Sequence, residues 1–187
     1  MNTRTLLDTA AAVKKLQAGH VIAYPTEAGY GLGCDPRNEA AVRQLLALKH
    51  RPESSGLILI GRCFEQFTPW VGEVTADQVE TASKTWPGAV TWLFPRGGNV
   101  PDVVAGDHQT IAIRVTDHER CIQLCNAFGG PVISTSANPH SAPPARSSVE
   151  VEDYFGSYLG GILAGPLGGR TATSEIRDLQ TGEVLRG

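Results

Sequence analysis

The chain has 187 residues, 41% of them apolar, and carries 16 Lys and Arg against 19 Asp and Glu, a net charge of −3. That length fits one domain with a core sizeable enough to need neither disulfides nor metal, and the mixed charge excludes a global basic field of the kind that draws a protein onto nucleic acid or membrane. No apolar run approaches membrane-spanning length and the N-terminus is polar and amphipathic, so a cytoplasmic location is expected.

Leu6, Leu7, Ala10, Val13 and Leu16 recur at helical spacing, with Gly19 placed as a stop. Val21 to Tyr24 reads as a buried strand ended by Pro25, followed by a loop with glycines at 29, 31 and 33. Asp35, Pro36 and Asn38 then signal a helix start. Strand, glycine-rich turn and helix N-terminus together can hold an anion; an ordinary connecting loop is the other reading, because neither the dinucleotide fingerprint nor the P-loop lysine is present.

The second helix carries Val42, Leu45, Leu46 and Leu48 and ends near Lys49, where the text is Lys49-His50-Arg51-Pro52. Two cations there complement the helix dipole, or with the polar turn Glu53 to Gly56 they grip a polyphosphate. Leu57 to Ile60 is the next strand, and Thr75 caps a helix to Lys84. Trp86-Pro87-Gly88 turns the chain into a strand from Val90 to Phe94, and Trp70, Trp86, Trp92 and Phe94 read as core packing. Arg96 to His108 is expected to be a surface loop. Thr110 to Val115 alternates, Ile111 and Ile113 against Ala112 and Arg114; an arginine in a buried strand needs an ion-pair partner or a ligand.

His118 to Phe128 is a helix closed by Gly129-Gly130, and Pro131 to Ile133 a strand running into Ser134-Thr135-Ser136-Ala137-Asn138. Hydroxyls and amides at a strand's end orient ligands in α/β sheets, although they are also ordinary turn residues. Pro139 to Ser147, with Arg146, is a loop placed to cover a site. A short helix at Val149 to Phe155, a strand at Gly160 to Gly165 and a strand at Ser174 to Leu179 complete the pattern, with Glu183 to Arg186 after a Thr181-Gly182 turn. The four cysteines at 34, 63, 121 and 125 have no zinc-ribbon spacing and read as reduced thiols; Cys121 and Cys125 lie one helical turn apart and read as small buried residues, since a metal there needs two further ligands.

Taken in order, Tyr24-Pro25-Thr26-Glu27 with Tyr30-Gly31-Leu32-Gly33, Lys49-x-Arg51-Pro52, Trp86-Pro87-Gly88, Ala112-Ile113-Arg114-Val115 and Ser134-Thr135-Ser136-Ala137-Asn138 resemble the YrdC/TsaC family over nearly the whole chain. The length and the texts Cys34-Asp35-Pro36, Gly56 to Ile60 and Ser174 to Asp178 are similar to its short bacterial members. The resemblance implies a single α/β domain over residues 1–187: a twisted mixed parallel and antiparallel sheet flanked by helices, with a ligand cleft on its concave side. It implies a threonylcarbamoyl-AMP synthase, converting L-threonine, bicarbonate and ATP into threonylcarbamoyl-adenylate and pyrophosphate. The product would feed tRNA threonylcarbamoyladenosine formation beside the anticodon, with separate transfer proteins downstream.

By the same resemblance, Lys49 and Arg51 are the catalytic cations that grip the triphosphate. Ser55, Thr110, Ser134, Asn138, Arg146 and Arg186 complete the ATP site, and Thr26, Arg114, Ser136 and Ser174 hold threonine. No protein nucleophile is required, so catalysis would rest on positioning and charge stabilisation. Magnesium would arrive with ATP, because no acidic set looks like a dedicated cage. Many relatives have Thr-Glu-Thr where this chain has Thr26-Glu27-Ala28, so another group must hold the substrate's hydroxyl. Longer members carry a further C-terminal domain; here Pro139 to Ser147 is the candidate lid. Two rivals differ in class: a non-catalytic tRNA or double-stranded-RNA-binding module, with local tRNA contact only, and a carbamoyl-adenylate-forming relative of hydrogenase-maturation proteins, whose zinc-finger and acylphosphatase segments are not evident.

Overall fold

A computed structural model describes residues 6–139 and 142–186. Its centre is an eight-stranded mixed sheet in the order β1-β2-β6-β3-β5-β4-β7-β8, formed by β1 (Ile22–Pro25), β2 (Tyr30–Gly33), β3 (Ile58–Gly61), β4 (Val90–Pro95), β5 (Thr110–Val115), β6 (Val132–Ser136), β7 (Glu175–Asp178) and β8 (Val184–Arg186). β3 pairs in parallel with β5, and β4 with β7; the other neighbours are antiparallel. Among the described residues six α-helices accompany them: α1 (Thr9–Gln17), α2 (Glu39–Leu48), α3 (Ala76–Ser83), α4 (Asp102–Ala105), α5 (Glu119–Phe128) and α6 (Ser148–Phe155).

Alternation along the strands decides which face each helix covers. Ala23, Leu32, Leu59, Ile111, Ile113 and Ile133 point into the larger core, together with buried residues of α2, α4 and α6. Ile22, Tyr24, Ile60 and Val132 point the other way and meet Leu16 of α1 and Leu124 of α5. That second face is apolar only where α1 and α5 cover it. Farther along, the same face turns to Ile58, Ser134, Ala112 and Thr110, and these line a cleft instead of a core.

The sequence signals at element ends hold. Asn38 accepts the Ala41 N–H at 3.1 Å, Thr75 and Gln78 form a reciprocal capping box, and Gly129 ends α5 at φ 81°. Trp86 stacks on Phe94 with ring centroids 5.8 Å apart, so these aromatics serve packing. The thiols of Cys121 and Cys125 face the backbone carbonyls of Pro25 and Ile60, at 3.3 and 3.5 Å.

Three expectations are corrected. The glycine-rich segment is a loop only in part: residues 30 to 33 form β2, paired with β1 so that Tyr24 faces Gly31 and Ile22 faces Gly33. Gly31 and Gly33 leave room for the Tyr24 ring, which crosses β2 to donate its hydroxyl to the Ile133 carbonyl at 2.8 Å. A Cβ on Gly33 would lie 2.3 Å from the Ile133 oxygen and 2.7 Å from the Tyr24 ring. Gly33→Ala is therefore expected to destabilise the fold by about 1–3 kcal/mol, read as a lowered urea midpoint at unchanged slope. The segment 96–108 is not merely a surface loop: it contains α4, with Val100, Val103, Val104 and Ala105 buried. The expected strand at 160–165 reduces to isolated bridges, Leu7 to Leu163 and Ala23 to Ile162, because only single residues there come alongside the sheet margin.

Candidate active site

α2 ends in a way that splits its two terminal cations. His50 takes the left-handed conformation at φ 50°, the His50 N–H returns to the Ala47 carbonyl and the Arg51 N–H to the Leu46 carbonyl at 3.0 Å. Lys49, before this reversal, turns toward β6: its Nζ donates to the Ser136 and Asn138 carbonyls and lies 3.3 Å from Asn138 Oδ1 and 3.5 Å from Ser136 Oγ. Arg51, after it, donates from Nη2 to the Gly56 carbonyl at 2.8 Å and to that of Ser55 at 3.3 Å. Gly56 makes this possible. At φ 64° it lets residues 54 to 56 lie backbone to backbone against the end of α4, where even the Gly106 position leaves no room for a Cβ.

Arg51, Ser55, Gly56 and Ser136 line a cavity of about 670 Å³ on the sheet face left open by α1 and α5. Ile58, Ser134, Thr110, Ala112, Leu93 and Ile176 form its floor. Of the residues singled out in the sequence, the cavity gathers Thr26, Arg51, Ser55, Thr110, Arg114 and Ser134, and also Ser136, Arg146, Ser174 and Arg186. Lys49 and Asn138 stand behind Ser136, bonded to each other, and Asn138 Nδ2 donates to the Ala142 carbonyl at 2.7 Å. The Pro139 to Ser147 segment contributes Pro143, Pro144 and Arg146 to the wall, while His140 and Ser141 of the expected lid lie outside the described residues.

Arg114 has the ion-pair partner that its place in a strand demanded. Its Nη1 lies 2.5 Å from Glu27 Oε1, both side chains being buried, and Thr116 Oγ1 donates to the same oxygen at 2.6 Å. Burial alone would raise the Glu27 carboxyl's pKa, but the Arg114 charge and the Thr116 hydroxyl outweigh it and hold the pKa below its ordinary value. Arg114 Nε remains buried without a partner. Thr26 Oγ1 closes its own turn onto the Gly29 carbonyl at 2.7 Å, and buried Thr91 donates to Ser174 Oγ at 3.1 Å. Arg170 and His108 were not anticipated from sequence; both line the cavity, and Arg170 reaches Asp117 at 2.5 Å.

Among the described residues, five arginines and a single carboxylate, Glu27, line this cavity. Burial, and then the Arg186 charge, pull the Arg51 pKa down from its ordinary value; burial does the same to Arg186. Like charges drawn together around a cavity are a receptor for a polyanion. Ile58, Leu93 and Ile176 on the floor and Val104 and Leu185 on the walls suit a flat ring beside it.

The Sua5/YciO/YrdC family model, described as telomere recombination, matches residues 14–187. The chain belongs to the Sua5/YciO/YrdC family. A threonylcarbamoyl-AMP synthase of Cellvibrio japonicus is 50% identical over 175 residues, covering 94% of this chain and 93% of that protein. The crystal structure of P. abyssi Sua5 complexed with L-threonine superposes with a TM-score of 0.87 at 29% identity, over 94% of this chain and 52% of the other, so this chain spans about half the length of that Sua5. The YciO protein of E. coli, at 25% identity, gives a TM-score of 0.84 over 95% of this chain and 87% of its own. Family membership thus rests on nearly the whole chain rather than on one motif. Among the described residues, no helix is long and apolar enough to cross a membrane.

Proposed function

We propose that this member of the family is a threonylcarbamoyl-AMP synthase, a nucleotidyltransferase that makes threonylcarbamoyl-adenylate and pyrophosphate from L-threonine, bicarbonate and ATP for tRNA threonylcarbamoyladenosine formation. The observation that carries the reading is Arg114: a guanidinium beside hydroxyl groups of the cavity, with Nη1 taken by Glu27 and Nη2 left without a partner among the described residues. A carboxylate is the group that such a guanidinium accepts, and the remaining arginines answer a triphosphate. Arg114, Thr26, Ser136 and Ser174 hold threonine; Arg51, Arg186, Arg146, Ser55, Thr110 and Ser134 hold ATP. Lys49 acts at the wall through its contact with Ser136, and Asn138 anchors it.

The amine of threonine joins carbon dioxide derived from bicarbonate, giving a carbamate and releasing water. A carbamate oxygen then attacks the α-phosphorus while the bond to pyrophosphate breaks, and the growing charge on the leaving group falls to Arg51, with the Lys49 charge acting from behind Ser136. Magnesium enters with ATP as part of the substrate, since the one carboxylate among the described residues of the cavity is already engaged by Arg114 and Thr116. The adenylate passes to separate tRNA-modifying proteins in the cytoplasm.

The test is pyrophosphate release from ATP by the purified chain, with and without L-threonine and bicarbonate. Release is expected only with both. Burial first, and Arg51 second, bring the Lys49 ammonium from 10.5 down to about 8, so its charge is present below that pH and lost above it. The KM for ATP is accordingly expected to rise as pH climbs through about 8, and a Lys49→Met variant, weak throughout, is expected to lack that inflection. No threonine-dependent release, with tRNA binding that weakens steeply as salt rises, would instead support the RNA-binding module.

A further inference from the structure

We propose that Glu27 and Thr116 are positioning residues for amino-acid recognition: they hold the Arg114 guanidinium by Nη1 so that Nη2 is the nitrogen offered to a substrate carboxylate. The inference rests on the assignment of Arg114 to threonine made above. Arg114 closes β5 on the cleft face, and Thr116, two residues on, keeps to the same side by strand alternation. Both side chains therefore reach the one carboxylate that the turn between β1 and β2 brings over them. Glu27 Oε1 receives Arg114 Nη1 at 2.5 Å and Thr116 Oγ1 at 2.6 Å, and Thr116 Oγ1 in turn accepts the His118 N–H at 3.1 Å.

The backbone of that turn is fixed as well. The Thr26 N–H donates to the Gly29 carbonyl at 2.9 Å, the Gly168 N–H to that of Thr26 at 3.0 Å, and the Arg170 N–H to that of Glu27 at 2.8 Å. A carboxylate held at both its backbone and its Oε1 fixes where the guanidinium nitrogen it touches must lie, and a rigid, planar guanidinium then has few directions left. An end-on fork would use both terminal nitrogens. Here the carboxylate takes Nη1 alone, Nε is buried, and Nη2 is left to the cavity that Arg114 lines. Held by two donors, the Glu27 carboxylate has no free role as a base; it sets a direction.

Thr116→Val removes the hydroxyl and changes no charge, and Glu27→Gln keeps the shape and removes the charge. Threonine affinity is measured by calorimetry, and KM values for threonine and ATP by pyrophosphate release, on variants whose melting is still cooperative. Both variants are expected to weaken threonine about tenfold while the KM for ATP stays within about twofold, and Thr116→Ser is expected to restore it. A merely structural role would lower both substrates together or neither. Unchanged threonine affinity in folded Thr116→Val would overturn the proposal; so would tighter binding in Glu27→Gln, since Glu27 would then be competing with substrate for Arg114. An Arg114→Lys arm separates the two claims. If it leaves threonine binding intact, the assignment of Arg114 fails; if it alone weakens threonine, that assignment stands and the positioning role fails.

Discussion

Arg114→Ala is expected to abolish threonine-dependent pyrophosphate release and to destabilise the fold by about 3–5 kcal/mol at neutral pH, because it strands the Glu27 carboxylate in a buried site. In the parent, Glu27 is held below its ordinary pKa of 4.5. A depressed carboxylate contributes stability that is present above the unfolded value and lost as pH falls through the folded one. Without Arg114, burial becomes the larger influence and the Glu27 pKa moves up instead. The stability gap between parent and variant should therefore be widest near neutrality and narrow in acid, as Glu27 takes up a proton. Urea titrations at neutral pH and below the ordinary carboxylate value measure that gap. A paired variant, Arg114→Met with Glu27→Leu, sharpens the result: removing both charges should return most of the stability and none of the threonine dependence. A gap that stays constant with pH would mean that Glu27 is not the group left uncompensated.

Part of this site could be read from the chain, and the division has physical causes. β5 was legible to the residue, since Ile111, Ile113 and Val115 on one side and Thr110, Ala112 and Arg114 on the other encode a core face and a cleft face. The helix ends at Asn38, Thr75 and Gly129 were legible because caps are local chemistry. The partner of Arg114 was not: Glu27 lies 87 residues away, and nothing in a strand's alternation names what sits above it. The glycines of β2 misled because a missing Cβ looks the same whether it serves a positive φ, a phosphate or the Tyr24 ring. α4 is four residues long and buried by tertiary packing, below the length at which periodicity speaks. The opposite headings of Lys49 and Arg51 follow from His50 in the left-handed region, a conformation sequence rarely announces for histidine.

Arg51→Ala is expected to separate activity from stability. Its guanidinium donates to the Gly56 and Ser55 carbonyls, and it is pulled below its ordinary pKa by burial and then by the Arg186 charge. In the free protein these like charges oppose each other, and only a polyanion between them turns the arrangement favourable. Losing Arg51 removes two hydrogen bonds but also that repulsion, so the melting change should stay within about 1 kcal/mol, the range of changes away from a core. Turnover should respond very differently. A donor aimed at the leaving pyrophosphate acts where charge develops, and its removal is expected to lower kcat/KM for ATP by about 10²–10³-fold. Arg51→Lys keeps the charge without the planar fork and should recover only part of the loss. ATP should raise the melting temperature of the parent well above that of Arg51→Ala, because a ligand stabilises only as far as it binds. ATP use within about threefold of the parent would remove Arg51 from the phosphate grip, since a lost charge-assisted contact of that kind costs more. A collapse in melting temperature would assign Arg51 to the scaffold, with the Gly56 and Ser55 carbonyls as its true partners. Arg186, more exposed and donating to the Ser174 carbonyl at 3.1 Å, lines the same cavity, so its alanine variant should show the same separation at smaller amplitude.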